Sequence, residues 1–495
     1  MKIGKQNSIF SFFISKEKSS NNPTYDFENA CNIGELIFYS DSRTPLQYSE
    51  NNGREIIVFG YAANVFSGQS EGIAETVLKS TKSLDEVIEY EKKLGGKYVI
   101  FYAENGKCFC IGDATCSIPI FYNTDGDDFI CSCFSQLIVN RLNLKKDKEL
   151  QQIRNSGKLG QAMPYDTTPY KEIKRLLPNH YLDIESRKPV RFINSCKKQE
   201  KITSVEAVRI TSPMIENIIK MFSDNFKIYC PLTGGKDSRV IYAYLKKLNN
   251  GNVDSYTVWL DRFNSDRQDW DIAAEIVKIG KTNHKQISLG EVTQEEKALM
   301  DELLGEGGYP PEAFSLSLAI QKHYGDGAIT EGDILGQVGK CSLHRDIPNW
   351  LASPRYFRCK LHNYSDGARK YMRKWMNEVK DSEEHINIMD LFSVENRLGV
   401  WAAYTHLVRN TIGLVNLNCF NSRSIIYTWT AIDSSERMKG NLNVELIKNA
   451  YPEILSIPFG KDSKPVRIAK TNALTFYLAS FLKYYIERRK FRKQQ

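Results

Sequence analysis

Long apolar runs are missing from this 495-residue chain. The longest, Ile56–Ala63 with glycine counted as apolar, has eight residues, against the roughly 20 that a membrane-crossing helix requires. No transmembrane helix is expected. Histidine is scarce, with seven residues (His180, His284, His323, His344, His362, His385 and His406) and no H-x-H or H-x-x-x-H pair, which argues against a metal centre built on histidine. Cys-x-x-Cys pairs are absent as well, so no zinc ribbon is expected. The eleven cysteines are an odd number, and the pairs Cys108/Cys110 and Cys131/Cys133 are spaced to put both thiols on one face of a strand. That usage fits a reduced, cytoplasmic protein. No small-residue cleavage site follows the short apolar stretch near Phe10–Ile14, so no secretory signal is expected. An excess of one charge is also lacking: 67 Lys and Arg against 59 Asp and Glu leave +8, spread along the chain. No nucleic-acid partner is expected from so diffuse an excess, although anionic small ligands are compatible with it.

What is present is ordinary globular material, 41% hydrophobic and 25% charged, enough for two to four domains. Residues 1–185 read as one unit and 200–495 as another, with a polar, basic linker around Asp183–Lys201 that contains Pro189. In the first unit, short runs rich in Phe, Tyr, Ile and Val (Ser8–Ser15, Glu35–Tyr39, Glu55–Tyr61, Lys97–Ala103, Lys107–Ile111, Ile118–Asn123 and Phe129–Cys133) predict a stacked antiparallel sheet core. Asn105-Gly106 and Asp125-Gly126 mark hairpin turns. Helical patterns at Gly72–Lys79 and Leu84–Leu94 make this unit α+β. In the second unit, a helix from Thr203 precedes strands and helices in alternation: strand Lys227–Leu232, helix Asp237–Lys247, strand Val253–Trp259, helix Arg267–Ile279, strand His284–Leu289, helix Glu312–Tyr324, strand Ala328–Thr330. Alternation of this kind predicts a doubly wound parallel sheet, covered on both faces. From about Asp390 onward the pattern is mainly helical.

The densest chemistry lies at Leu232-Thr233-Gly234-Gly235-Lys236-Asp237-Ser238, where a strand runs into two glycines and a helix start. Glycines let the backbone curl round an anion, and the first N–H groups of the helix point at it, which makes a phosphate cradle. Thr233 and Ser238 add hydroxyls. A carboxylate beside phosphate repels it, so as a phosphate contact Asp237 makes sense if a divalent cation lies between the two; a Gly-Gly turn with a capping Asp or Ser is the plain alternative. The spacing is neither that of the Walker loop nor that of the dinucleotide fingerprint.

It resembles instead the pyrophosphate loop of the ATP pyrophosphatase group, whose enzymes split ATP between the α and β phosphates. Further segments resemble the synthetase domain of the asparagine synthetase superfamily. Asp269-Trp270-Asp271 onward, with His284, is similar to the helix and strand that follow that family's nucleotide strand, here Tyr256–Trp259, and so assigns Val258 to the nucleotide. Thr330-Glu331-Gly332-Asp333-Ile-Leu-Gly336 resembles its Ser/Thr-Gly-Glu-Gly-x-Asp loop, one position shorter. The resemblance implies Mg2+ held by Asp237 and Asp333, ATP held by Leu232, Thr233, Gly234, Gly235, Asp237, Ser238, Val258 and Gly332, and Glu331 as candidate base. Lys461 or Lys464, in Ile457-Pro-Phe-Gly460-Lys-Asp-Ser-Lys464-Pro, lies where the family's C-terminal lysine loop falls. Upstream, Thr168-Pro-Tyr through Pro178 and Gly95-Gly96-Lys97-Tyr98 through Pro119-Ile-Phe-Tyr122 resemble the end of the family's glutaminase domain, an antiparallel sandwich of the Ntn-hydrolase type.

One departure changes the implied function. A working glutaminase of that family has Cys directly after the initiator Met, where thiol and α-amino group act together; here the residue is Lys2. The first domain is therefore expected to be a degenerate scaffold. Relatives lacking this Cys include β-lactam synthetases, lasso-peptide cyclases and polysaccharide-associated synthetase-like proteins. The expected activity is an ATP-dependent amide ligase that adenylates a small-molecule, sugar-acid or peptide carboxylate and couples it to an amine without hydrolysing glutamine. An ammonia-dependent amide former and a non-catalytic nucleotide-binding scaffold remain alternatives, and a homodimer stays open as an assembly. The C-terminal stretch carries Phe476, Leu478, Phe481, Leu482, Tyr485 and Ile486 at helical spacing, then Arg488, Arg489, Lys490, Arg492 and Lys493. It reads as a core-packed final helix or as a basic amphipathic tail for peripheral membrane contact.

Overall fold

The structure is a computed structural model, and it describes residues 8–16, 27–157, 163–193, 200–248, 253–260, 263–305, 309–325, 327–342, 347–380, 386–460, 468 and 472–493. Lys2, Lys461 and Lys464 lie outside these residues, so the expectations attached to them are left where the sequence puts them.

The run Ile56–Ala63 is long because its strand is buried on both faces. Ile57 and Phe59 point into one apolar core together with Val99 and Phe101. Ile56 and Val58 point into another with Ile100 and Tyr102. Period-two alternation between two dry faces leaves no position for a polar residue. Strand Arg54–Asn64 pairs antiparallel with Leu94–Glu104 at the centre of a six-stranded sheet, whose order is Lys188–Arg191, His180–Asp183, Lys107–Gly112, Leu94–Glu104, Arg54–Asn64, Leu46–Asn51. A second six-stranded sheet runs Ile173–Arg175, Phe121–Asn123, Ile130–Ser132, Phe12–Ser15, Leu36–Ser40, Asn29–Ile33, also antiparallel. Between the sheets Phe12 stacks on Phe38 at 5.8 Å, and Phe101 meets Phe38 edge-on at 5.3 Å. Helices Ile73–Ser80 and Leu84–Glu91 cover the outer face of the first-described sheet. Asn105 and Gly106 take φ values of 51° and 74°, the left-handed pair that a tight two-residue hairpin needs.

Several strands escape the apolar pattern because they are edges. Asn29–Ile33 and Leu46–Asn51 each border solvent and carry polar residues. The segment expected as linker also contains an edge strand: Lys188–Arg191 pairs with His180–Asp183, so the first unit runs past residue 185. Pro189 is tolerated there because an edge strand needs no donor on its outer side.

The second unit holds a five-stranded, all-parallel sheet in the order Asn283–Ser288, Asp254–Trp259, Ile228–Pro231, Ala328–Thr330, Val415–Leu417. The chain builds outward to one side from Ile228–Pro231, then returns to build on the other. That reversal leaves a crevice at the carboxyl ends of Ile228–Pro231 and Ala328–Thr330, where open α/β sheets bind ligands. Strand Val415–Leu417 lies in the region expected to be helical; three residues are too few to carry a periodic signal.

The two units are welded by buried polar contacts. Arg423, 1% exposed, pairs with Glu91 and donates to the carbonyl of Gly112 at 3.0 Å and to Asn179 Oδ1 at 3.1 Å. Lys97, equally buried, donates to Asn410 Oδ1 at 2.9 Å and to the carbonyl of Asn416 at 3.2 Å. All cysteines among the described residues are free thiols, and no helix among them is long and apolar enough to cross a membrane.

Candidate functional site

The loop after strand Ile228–Pro231 folds on itself before it meets anything else. Thr233 N donates to Ser238 Oγ at 3.1 Å, the two hydroxyls stand 3.0 Å apart, and Gly235 N donates to Thr233 Oγ1 at 3.2 Å. Gly234 N donates to Asp269 Oδ1 at 2.8 Å. A carboxylate thus already sits on one amide of the loop, the kind of acceptor an anion cradle selects. A Cβ at 234 would come within 2.8 Å of the Ile272 end methyl and 3.2 Å of Asp269 Oδ1, so glycine leaves that side of the loop uncrowded. Leu232 is fully buried; its amide bonds to the Tyr256 carbonyl and its own carbonyl accepts from Thr257, so it anchors the loop from the core side. Val258 is half-buried near the end of the neighbouring strand.

Asp237, in the first turn of helix Lys236–Leu248, accepts from Lys340 Nζ and from Asn443 Nδ2, each at 2.8 Å. Gly332 and Gly336 let a second loop close over it: a Cβ on Gly332 would lie 3.1 Å from that of Asp237, and one on Gly336 would lie 3.4 Å from its Oδ2. Of the sequence-expected residues, Gly332 of the second loop thereby lies against Asp237 of the first, with Thr233, Gly234, Gly235 and Ser238 on the first loop and Asp333 next to Gly332. Asp333 accepts from Asn418 Nδ2 and from the Ile334 amide at 2.9 Å.

Glu331 is held by Arg409 on one oxygen and by His406 Nε2, at 2.8 Å, on the other. Burial alone raises its carboxyl, but Arg409 and His406 outweigh burial and hold it well below the usual carboxylate range. For His406, burial lowers the pKa, and the hydrogen bonds to Asp333 and Glu331 outweigh it and raise it. A carboxylate so stabilised is a weak base. Its geometry is that of a charged brace rather than of the proton acceptor the sequence suggested. His406 Nε2 also stands 3.6 Å from Asp333 Oδ2, and Glu331, Asp333 and His406 offer ligand atoms within 4.8 Å of one another. Histidine spacing gave no hint of this cluster, because His406 comes from the distant helix Ala403–Thr411.

Sequence reasoning also missed Lys340, Asn443, Asn418 and Arg409, for which no motif exists. Arg239 is fully buried and ties the loop helix to the carbonyls of Ile454, Ile457 and Pro458 (3.2, 2.6 and 3.1 Å), with Phe459 under its guanidinium at 4.2 Å. That tether brings Gly460 N to the Gly234 carbonyl at 2.8 Å. The segment immediately preceding Lys461 therefore reaches the loop.

Asp237 and Asp333 stand on the two loops that meet at Gly332, and carboxylate oxygens are donors that suit a hard divalent cation such as Mg2+. Both oxygens of Asp237 have partners, Lys340 on one and Asn443 on the other, so a cation held there would share or displace the Lys340 ammonium. A bound Mg2+ would there neutralise phosphate oxygens beside these carboxylates. A cavity of about 610 Å³ opens alongside, walled by Pro231, Leu316 and Trp401 and edged by Glu312, Glu331, Asp333 and Arg409. Trp401 and Ala402 lie on a π-helical segment, Ser393–Ala402, whose wide turns often mark functional sites.

No family model matches the chain, and no curated protein does. Among solved structures the chain is similar to the glutamine phosphoribosylpyrophosphate amidotransferase from B. subtilis complexed with ADP and GMP, at 11% identity over 52% of each chain with a TM-score of 0.22. It is also similar to a structure of the allosteric regulatory enzyme of purine biosynthesis, at 13% identity over 46% of this chain and 55% of that one, with a TM-score of 0.25. The chain spans about half the length of these structures. Likeness this slight bears on neither the site nor the activity.

Proposed function

We propose that this chain is an ATP-dependent amide ligase of the asparagine synthetase type whose first domain serves as a scaffold. The reading rests on one observation: two loops, Thr233–Ser238 and Glu331–Asp333, converge where the parallel sheet reverses its strand order, with Gly332 against Asp237. A structural loop has no use for a carboxylate-bearing anion cradle at that point. In the proposed reaction a carboxylate oxygen of the substrate attacks the α-phosphorus of ATP and pyrophosphate leaves. The amine nitrogen then attacks the acyl carbon, AMP leaves and the amine gives up a proton.

The chain's own residues have separate tasks in this scheme. Helix-start amides and the hydroxyls of Thr233 and Ser238 face the pyrophosphate. Lys236 and Lys340 supply positive charge beside Asp237, and Asp237 and Asp333 are the residues that would hold Mg2+, which when bound would neutralise phosphate charge. Glu331, braced by Arg409 and His406, keeps the second loop in place. The cavity beside Trp401 takes the carboxylate substrate, a small molecule, a sugar acid or a peptide.

The test is pyrophosphate release from ATP and Mg2+ across a panel of carboxylates and amines, with ammonium and glutamine run separately. Release that depends on a carboxylate, with glutamine left intact, supports the reading. Loss of glutamine would refute the scaffold role of the first domain. Silence across the panel together with no ATP binding by calorimetry would refute the ligase.

A further inference from the structure

The C-terminal helix Ala473–Arg492 has two apolar faces, and only one of them is used. Its inner face packs on the helix Pro354–Lys360 and the turn after it. Tyr477 stacks on Tyr356 at 5.0 Å, and Tyr484, 1% exposed, donates to the Asn363 carbonyl at 2.8 Å. Its outer face carries Leu474, Leu478, Leu482 and Ile486, exposed by 58%, 58%, 64% and 48%. Steps of four place these side chains in one stripe, about 18 Å long at 1.5 Å per residue. Four large aliphatics in line and open to water are not the scattered apolar residues of an ordinary surface.

The same face continues into charge. Arg489 and Lys493 stand three and seven residues beyond Ile486, on the line of the stripe, with Lys490 and Arg492 flanking it, all four exposed. The helix has a single acidic residue, Glu487, and it is turned inward to His362 Nδ1 and Tyr364 Oη, each at 3.3 Å. Arg488 is likewise engaged, by Asp366 at 2.7 Å.

We propose that this face is a peripheral docking surface for an anionic lipid bilayer, with the aliphatic stripe at the level of the acyl chains and the basic end among the headgroups. Charge decides between the occupants. A second copy docked in parallel would set one basic cluster against another, and in antiparallel it would set cations against leucines. A bilayer with anionic headgroups offers both an apolar layer and negative charge to one helix lying in its plane. The helix is not long and apolar enough to cross, which fits an orientation along the surface.

The experiment is co-sedimentation of the full chain with phosphatidylglycerol vesicles and with phosphatidylcholine vesicles, at low and high salt. Binding is expected to phosphatidylglycerol alone and to weaken with salt. Neutralising the basic end (Arg489→Gln, Lys490→Gln and Arg492→Gln together) is expected to weaken it by roughly a hundredfold. Leu478→Ser with Leu482→Ser is expected to abolish it while leaving the circular dichroism spectrum and ATP binding unchanged, since both side chains are exposed. Equal binding to both vesicle types, or variants that bind as well as the parent, would overturn the proposal. So would a dimer in solution that Leu478→Ser with Leu482→Ser dissociates, with no vesicle binding by the parent chain.

Discussion

Lys97 offers the sharpest quantitative test of the weld between the two units. The residue is 1% exposed, its ammonium lies 4.4 Å above the Phe10 ring, and among the described residues it donates to two oxygens, Asn410 Oδ1 and the Asn416 carbonyl. No carboxylate among the described residues forms an ion pair with it. Burial therefore pulls it down from 10.5 to about 7, with Asp113 and Glu331 holding it back only in part. Below pH 7 the folded and unfolded chains both carry the charge, and the folded state bears the full cost of burying it. Between pH 7 and 10.5 only the unfolded chain keeps its proton, so stability rises with pH by about 1.4 kcal/mol per unit from this residue. From pH 6 to pH 9 the gain is about 3 kcal/mol. Lys97→Met keeps the length and removes the charge. The variant loses two hydrogen bonds at every pH, but it also loses the slope. Thermal melts of parent and variant across that interval are expected to converge or cross toward low pH. The differential shift is roughly 3 °C if the whole chain melts as one unit and roughly 6 °C if the sheets of the first unit melt alone. Curves that stay parallel from pH 6 to pH 9 would refute the desolvated lysine and with it the dry interface.

Asp237→Asn and Asp333→Asn are each expected to abolish pyrophosphate release with melting temperature unchanged, and unchanged turnover would remove both from the site. Gly332→Ala places a methyl 3.1 Å from the Asp237 side chain; turnover is expected to fall by roughly tenfold or more, measured as kcat with the fold checked by circular dichroism. Arg423→Met leaves the buried Glu91 with Tyr98 but without its cation, at a cost of about 3–5 kcal/mol. Adding Glu91→Gln is expected to recover part of that in denaturant melts, and strict additivity would contradict the buried pair.

Much of the architecture is legible because it follows from local rules. The unbroken run around Ile57 marks a strand dry on both faces, Asn105-Gly106 marks a left-handed hairpin turn, and strand, Gly234-Gly235 and helix in succession mark the loop. Edge strands such as Asn29–Ile33 and Lys188–Arg191 are not legible, because one side faces water and no apolar pattern is enforced.

The amino-acid sequence by itself determined the alternation of strands and helices, the Gly234-Gly235 loop and the positions of Asp237 and Asp333 on loops after strands, since each depends on neighbours within a few residues. Only the tertiary structure decided what those carboxylates touch. Lys340 reaches Asp237 across 103 residues, Asn443 across 206, and His406 reaches Glu331 across 75. Such partners are chosen by strand order and helix packing, and pairing between distant segments leaves no period in the chain. The same holds for the C-terminal helix: its first three turns are apolar nearly all round, and packing against Tyr356 and Asn363 decides which stripe is left open to water.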